Sequence, residues 1–186
     1  MAIQGDFREH KQMLLSLGVE AVEVRLPKHL EGIAGLIVPG GESTTIGMLA
    51  REYGLERAVR ERVQEGSLAL WGTCAGAIWL AKEIPQFPDQ PRLGILDIAV
   101  ERNAYGRQVD SFEQDLYIKG LDWPFHAFFI RAPVILRVGA GVEVLALHHN
   151  EIVLVQSENI LAATFHPELT HDSRIHQKFV DLASSL

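Results

Sequence analysis

Two short runs of continuous apolar sequence constrain the fold of this chain most strongly. Residues 33–38 (Ile-Ala-Gly-Leu-Ile-Val) and residues 68–71 (Leu-Ala-Leu-Trp) contain no charged side chain, and glycines follow each run closely. A strand without polar positions is buried on both faces, which is typical of a parallel sheet. A helical pattern follows each turn, so the two runs predict an α/β fold with helices on both faces of the sheet.

The rest of the first half also alternates between helical and extended patterns. A first helix begins at Asp6 as N-cap and ends at Gly18, with Phe7, His10 and other residues at helical spacing on one face. Residues 22–26 alternate apolar with charged side chains, which predicts a strand. The further helices of this half are predicted at 44–53, 55–64 and 78–82.

The second half consists mainly of short apolar stretches separated by Gly, Asn and Pro. We expect them to form antiparallel or mixed strands added to the parallel core, before a final amphipathic helix at residues 175–186. The chain is therefore predicted to be a single domain, residues 1–186, with a three-layer open mixed sheet that is parallel at its centre. The predicted strands are 95–100, 116–118, 128–130, 134–138, 142–147, 152–156 and 160–165.

Composition excludes several classes of protein. The 186 residues are 47% hydrophobic and 22% charged, as in ordinary globular proteins, and the single cysteine excludes an intramolecular disulfide. The net charge of −7, without a basic stripe, disfavours binding to nucleic acid or to anionic lipid. No leader or membrane-spanning run is visible, so we predict a cytoplasmic protein.

The cysteine lies in a sequence that suits a nucleophile. Residues 72–76 read Gly-Thr-Cys-Ala-Gly, the pattern of a nucleophile on a sharp turn between a strand and a helix. The positive end of the following helix favours the thiolate of Cys74, and the N–H of Ala75 would face an oxyanion on the substrate. The pentapeptide alone leaves open that Cys74 is a buried structural residue.

A histidine and a glutamate near the C-terminus supply what a thiolate nucleophile needs. Residues 165–168 read Phe-His-Pro-Glu, and the proline keeps this segment extended. Residues i and i+2 of an extended segment point to the same side, so Glu168 can orient the imidazole of His166. Taken by itself, the segment also fits a solvent-exposed loop.

A glycine-rich loop follows the first apolar run. Residues 39–44 read Pro-Gly-Gly-Glu-Ser-Thr, and such a loop presents backbone N–H groups to an anion. It lacks the lysine of a P-loop and the glycine spacing of a dinucleotide site. The loop at Gly41, Cys74 and His166 each follow a predicted strand, at the edge of an α/β sheet where ligands bind.

Together these three segments resemble the triad (class I) glutamine amidotransferases. Residues 101–113, followed by 129–133, narrow the resemblance to the glutaminase subunits of pyridoxal 5′-phosphate synthase, the PdxT family. The likeness extends from Gln4 to the final helix. It implies the flavodoxin-like fold of the class I amidotransferases.

The resemblance also implies an activity and a set of site residues. The chain would hydrolyse L-glutamine, without metal or organic cofactor, and pass ammonia to a separate synthase subunit in a large hetero-oligomer. Cys74 would be the nucleophile, with His166 and Glu168 completing the triad. The backbone N–H groups of Gly41 and Ala75 would form the oxyanion hole. The residues implied to contact glutamine are Gly41, Glu42, Ser43, Arg102, Ile130 and Arg131.

The beginning of the chain departs from the family pattern. Family members usually have a first strand of several apolar residues before the Gln-Gly pair, whereas residues 1–3 alone precede Gln4 here. We expect a first strand reduced to a stub. This affects stability and the loop at Gln4, and it leaves the triad unchanged.

Other interpretations are weaker. A cysteine hydrolase of the protease or deglycase type shares the nucleophile turn and the sheet but usually lacks a late His-x-Glu pair, so His166 and Glu168 argue against it. A non-catalytic regulatory subunit has only the shortened first strand in its favour. His148 and His149 lack a third metal ligand at suitable spacing, and we interpret them as surface residues of a turn.

Overall fold

The computed structural model describes residues 1–102 and 111–186. In these two ranges the helices and strands alternate up to the nucleophile turn, and strands dominate from there to the last helix. The helices are α1 (Phe7–Ser16), α2 (Ser43–Glu52), α3 (Leu55–Gln64), α4 (Ala75–Leu80) and α5 (Arg174–Ser184). The strands are β1 (Gly35–Val38), β2 (Ala69–Thr73), β3 (Ala81–Glu83), β4 (Leu96–Glu101), β5 (Ser111–Leu116), β6 (Phe125–Ile130), β7 (Val134–Val138), β8 (Glu143–His148), β9 (Glu151–Ser157) and β10 (Ile160–Ala163).

One large mixed sheet organises the described chain. Its strands lie in the order β1-β2-β10-β9-β7-β4-β3, and β8 pairs with β9 beside this path. Strands β1, β2 and β10 run parallel to one another, and β9 is antiparallel to β10. Strands β5 and β6 form a separate antiparallel hairpin. The last strand of the chain thus lies next to β2, which brings the C-terminal segment to the nucleophile turn.

Alternating residues of the parallel strands build two apolar cores on opposite faces. Leu36 and Val38 of β1 pack with α2, α3 and α4. Ile37 of the same strand packs on the other face with α5 and with the β5–β6 hairpin, in the core that contains Trp71 and Phe165. Because successive strand residues point to opposite sides, a continuously apolar strand has to be covered on both. The predicted α/β fold with helices on both faces is confirmed.

Most predicted elements are present with shifted ends, and one predicted strand is absent. Residues 22–26 form no strand, because the pairing described for this segment is one hydrogen bond from the Ala2 N–H to the Val24 carbonyl at 2.7 Å. Asp6 precedes α1, but its side chain makes no capping hydrogen bond. The helix after the nucleophile turn ends at Leu80, and the chain continues into β3.

The first residues lie against β1 without forming a strand. Met1 and Ala2 are buried, and the amino group of Met1 donates to the Ile37 carbonyl. Burial lowers the pKa of this amino group to about 5. Among the residues described, no helix is long and apolar enough to cross a bilayer.

Candidate active site

The three segments singled out in the sequence follow three neighbouring parallel strands. The glycine loop follows β1, Cys74 follows β2, and His166 comes shortly after β10. Backbone hydrogen bonds fix their relative positions: the Cys74 N–H donates to the Ala163 carbonyl at 2.8 Å, and the His166 N–H to the Phe128 carbonyl at 2.8 Å. The sheet therefore brings together residues that lie far apart in the sequence.

The turn at Cys74 is sharp and strained. Cys74 has φ 47° and ψ −105°, a conformation that L-residues rarely adopt and that costs about 1–3 kcal/mol. The glycines on either side are required sterically. A Cβ on Gly76 would lie 2.0 Å from the Val38 carbonyl oxygen, and one on Gly72 would lie 2.6 Å from the backbone of Gly76. The turn places the thiol of Cys74 at the end of β2, where the residue is largely buried and 8% exposed.

His166 and Glu168 form a buried pair beside the turn. The Nδ1 atom of His166 lies 2.7 Å from Oε1 of Glu168, and the two residues are only 4% and 6% exposed. Space for the imidazole exists because residue 40 is glycine, since a Cβ there would lie 2.4 Å from Cε1 of His166. The expected adjacency of the histidine and the glutamate is present, but the extended segment predicted for it is wrong. Pro167–Leu169 form a turn of 3-10 helix, whose first position suits a proline.

The electrostatic environment favours a protonated His166. Burial lowers its pKa, but hydrogen bonds to Cys74 and Glu168 outweigh burial and raise the pKa to about 10. The proton on Nδ1 faces Glu168, which leaves Nε2 for the side of the thiol. An imidazolium beside Cys74 can stabilise a thiolate and later return its proton to a leaving group.

Two further histidines lie behind the triad, and sequence reasoning assigned them no role. His10 of α1 lies between Glu168 and His176 of α5, with its Nδ1 2.9 Å from Nε2 of His176. Both histidines are buried and pack edge-on against Trp71. Helical periodicity placed His10 on the buried face of its helix. A histidine in that position was the available signal.

The loop after β1 is held by the side chain of Glu42. This carboxylate accepts hydrogen bonds from the N–H groups of Thr44 at 3.0 Å and Thr45 at 2.7 Å, and so caps α2. Burial opposes ionisation, but the hydrogen bonds from Thr45 and Thr44 lower the pKa of Glu42 to about 2. The Glu42 N–H in turn donates to Oε1 of Gln4 at 2.8 Å.

Arg102 lies in the same polar network. Its guanidinium donates to Glu42 at 3.1 Å, to Thr44 at 3.2 Å and to Gln90. The amide of Gln90 also donates to the hydroxyl of Ser43 at 3.0 Å, and both residues are buried. Gln90 was missed by sequence reasoning, because a lone glutamine carries no motif. Glutamine contacts by Glu42, Ser43 and Arg102 stay predictions.

The end of β6 approaches the nucleophile. Sγ of Cys74 lies 3.8 Å from the Ile130 carbonyl oxygen, and the next residue, Arg131, has φ 45°. The structure thus places Ile130 at the thiol and Arg131 immediately after it. Residues 103–110 of the long motif lie outside the described residues. The oxyanion roles of Gly41 and Ala75 stay predictions.

In the described ranges, one group of side chains has the spacing of a metal site. It consists of Asp6, His166 and Glu168, whose ligand atoms lie within 4.8 Å of one another. Two of the three residues already bond each other, and Asp6 is exposed, with Oδ2 3.9 Å from Nδ1 of His166. The donor set therefore fits a hydrogen-bonded acid–base pair better than a metal centre. His149 lies exposed in the turn after β8, as predicted, whereas His148 is the half-buried last residue of that strand and stacks on Phe112.

Curated relatives resemble the chain over almost its full length. A protein named pyridoxal 5′-phosphate synthase subunit PdxT from Thermus thermophilus is 67% identical over 183 residues, which cover 98% of this chain and 95% of the relative. A protein of the same name from Deinococcus radiodurans is 55% identical over 187 residues, again covering 98% of this chain and 95% of the relative.

Solved structures support the same relationship. A crystal structure of a glutamine amidotransferase superposes with a TM-score of 0.95 at 65% identity, covering 98% of this chain and 96% of that chain. A putative GMP synthase protein from Thermoplasma acidophilum has a TM-score of 0.71 at 17% identity, covering 99% and 92% of the two chains, and shares the fold. The model of the SNO glutamine amidotransferase family matches residues 1–185, and the chain therefore belongs to that family.

Proposed function

We propose that this protein hydrolyses L-glutamine to L-glutamate and ammonia, and that it supplies the ammonia to a separate synthase subunit that makes pyridoxal 5′-phosphate. The proposal depends most on one observation. In a chain of a glutamine amidotransferase family, a strained cysteine and a buried His–Glu pair follow neighbouring parallel strands.

The first half of the reaction breaks the side-chain amide of glutamine. The thiolate of Cys74 attacks the carboxamide carbon, and the oxyanion that forms accepts hydrogen bonds from the backbone N–H groups of Gly41 and Ala75. His166 then donates its Nε2 proton to the departing nitrogen. Ammonia leaves, and a γ-glutamyl thioester remains on Cys74.

The second half releases glutamate. Neutral His166 takes a proton from water, whose oxygen attacks the thioester carbon, and the Cys74–carbon bond breaks to restore the thiolate. Glu168 holds the Nδ1 proton of His166 in both halves, which fixes the tautomer and stabilises the imidazolium. The high pKa of His166, about 10, supports this assignment.

The network around Glu42 offers both charges that a free amino acid needs. Glu42 is anionic at neutral pH because its pKa is about 2, and Arg102 lies beside it. An α-ammonium group and an α-carboxylate have complementary charges to these two residues. Arg131, which follows the Ile130 carbonyl near Cys74, supplies a second cation.

The partner and the setting follow from the same proposal. Relatives of this chain are named as subunits of pyridoxal 5′-phosphate synthase, which supports a separate synthase chain as the partner. We expect a hetero-oligomer of the two subunits. A free thiol stays reduced most readily in a reducing compartment, which supports a cytoplasmic location.

The test is ammonia release from glutamine with the synthase subunit present. Wild type should produce ammonia, and Cys74→Ala should reduce the rate to background. Equal rates for the two proteins contradict the proposal. A peptide or glycated substrate, run in parallel, tests the protease or deglycase alternative.

Labelling tests the non-catalytic alternative. Because Cys74 is the single cysteine, a glutamine-like electrophile should add one mass increment per chain in the presence of the synthase subunit. Absence of labelling in that complex supports a regulatory role instead.

A further inference from the structure

A chain of buried polar side chains continues behind the triad. Beyond the His166–Glu168 pair, the other carboxylate oxygen of Glu168, Oε2, lies 3.3 Å from Nε2 of His10. The same Nε2 lies 3.1 Å from the hydroxyl of Thr73, the residue before the nucleophile. Nδ1 of His10 lies 2.9 Å from Nε2 of His176. Helices α1 and α5 thus each contribute one histidine to a line that ends at the triad.

Glu168 lacks a partner on its far side. No hydrogen bond of ordinary geometry reaches its Oε2 from the described residues, although the side chain is fully buried. An unpaired buried carboxylate oxygen is costly, and a carboxylate held at one oxygen is free to rotate about its terminal bond. The Nε2 atom of His10 lies close enough to share a proton with this oxygen.

The contacts fix the tautomer of His10. If Nε2 carried no proton, its lone pair would face the Glu168 carboxylate at 3.3 Å, which is repulsive. A proton on Nε2 is instead compatible with both neighbouring oxygens, the Thr73 hydroxyl at 3.1 Å and Oε2 of Glu168 at 3.3 Å. Nδ1 then accepts the N–H of His176, whose remaining Nδ1 is a buried acceptor without a partner among the described residues. A bare imidazole acceptor is less costly than a bare donor.

The surroundings keep both histidines neutral. Burial above all, and then the charges of His176, the N-terminal amino group and His166, hold the pKa of His10 well below its ordinary value. Burial lowers the pKa of His176 to about 4. At neutral pH each ring therefore has one proton and one lone pair, as this line of hydrogen bonds requires.

We propose that His10, held by His176, is a positioning residue of the active site: its Nε2–H attracts Oε2 of Glu168 across 3.3 Å, so that the other oxygen stays aligned with His166. The role of His10 in catalysis depends on the glutaminase activity proposed above. His10 touches neither glutamine nor the reacting atoms. It acts by restricting the rotation of the carboxylate that orients the catalytic imidazole.

Two substitutions of His10 by amide residues distinguish a positioning role from a purely structural one. The side-chain nitrogen of glutamine reaches the place of Nε2 in histidine, whereas that of asparagine reaches only the place of Nδ1. In the complex with the synthase subunit, His10→Asn should lower kcat about tenfold with KM within about twofold, and His10→Gln should stay within about threefold of wild type. Equal kcat values for the two variants, whether normal or reduced, overturn the proposal.

Alkylation of the isolated protein tests the same role without glutamine. Iodoacetamide can modify only Cys74, and its rate at pH 7 should fall about tenfold in His10→Asn but remain near wild type in His10→Gln. Leu14→Ala, which removes an apolar contact of the same helix, is the matched stability control and should leave the rate unchanged. If wild type alkylates normally but releases no ammonia, the glutaminase assignment fails and the positioning role is still tested.

The protonation state of His10 can be measured in the wild-type protein, which tests the proposal even if neither variant folds. Nitrogen NMR of the histidine rings at pH 7 should find His10 neutral with its proton on Nε2. A proton on Nδ1, or a charged ring, contradicts the proposal.

Discussion

Two clusters pair a histidine with carboxylates, and they differ mainly in burial. His166 and Glu168 have side chains that are 6% and 0% exposed. On the β5–β6 hairpin, His126 lies between Glu113 at 2.9 Å and Asp115 at 2.7 Å, and its side chain is 50% exposed. Both environments raise the pKa of the histidine, and that of His166 reaches about 10.

The difference shows what burial adds to the same ion pair. Around His126, water and salt screen the carboxylates, and all three side chains can leave the pair. Around His166, the strand ends fix both partners, and water cannot replace either of them. An exposed pair of this kind adjusts a surface charge, whereas a buried pair can hold a proton in one place for catalysis.

The largest expected effect comes from breaking the buried pair. Glu168→Gln keeps the shape of the side chain but removes the charge, so His166 loses the group that stabilises its protonated form. We expect kcat for ammonia release to fall about 10³- to 10⁴-fold. The matched change on the hairpin, Glu113→Gln, should leave kcat unaltered. A Glu168→Gln enzyme with wild-type kcat contradicts the role given to the pair.

The next effect is on stability and concerns His176, the last histidine of the line behind the triad. Because the pKa of His176 is about 4 when folded and ordinary when unfolded, the unfolded chain takes up a proton first as pH falls. Stability should therefore decrease from about pH 6.5 to about pH 4, by about 3 kcal/mol. Urea unfolding of His176→Phe should have a flatter pH dependence in this window. An unchanged slope contradicts this expectation.

A smaller effect is expected at Glu42, whose side chain is about half exposed. Its lowered pKa means that its contribution to stability is present above the ordinary glutamate pKa and is lost as pH falls towards about 2. Glu42→Gln weakens the helix cap, and solvent screening limits the loss to about 1 kcal/mol at pH 7. Urea unfolding should find the difference from wild type shrinking as the pH is lowered from about 4.5.

The smallest expected effect is a change of histidine pKa with salt, which compares the exposed and the buried cluster in the wild-type protein. High salt should move the NMR titration midpoint of His126 back towards the ordinary value, because its partners are exposed. The midpoint of His166 should move much less. Equal salt shifts for the two rings would falsify the claim that burial distinguishes the clusters.

Much of the site was accessible from sequence, for identifiable reasons. The nucleophile turn needs glycines at 72 and 76, and the distances at Gly76 and Gly72 explain why the pattern is readable. The His-Pro-Glu pair was recognised because the two residues are neighbours in the chain, although the segment is a 3-10 turn and not the extended segment predicted. In contrast, Gln90 and His10 contact the site from distant parts of the chain. No local pattern marks Gln90, and helical periodicity places His10 on a buried face without showing what it contacts.

Residues 22–26 show that a local pattern can also predict an element that does not form. The alternation in its sequence does not produce one buried face, since Val24 is buried while Val22 and Leu26 are exposed. A strand also requires a partner along its length, and the pattern of a short segment contains no information about that pairing.

The sequence by itself predicted the α/β class and proposed Cys74, His166 and Glu168 as a triad, because each of these motifs depends on residues close together in the chain. The tertiary structure alone decided that β10 lies beside β2, which brings His166 to Cys74. It also decided that His10 and His176 extend the site into the core. Contacts between distant segments depend on which strands and helices become neighbours, and this is settled when the whole sheet packs against its two cores.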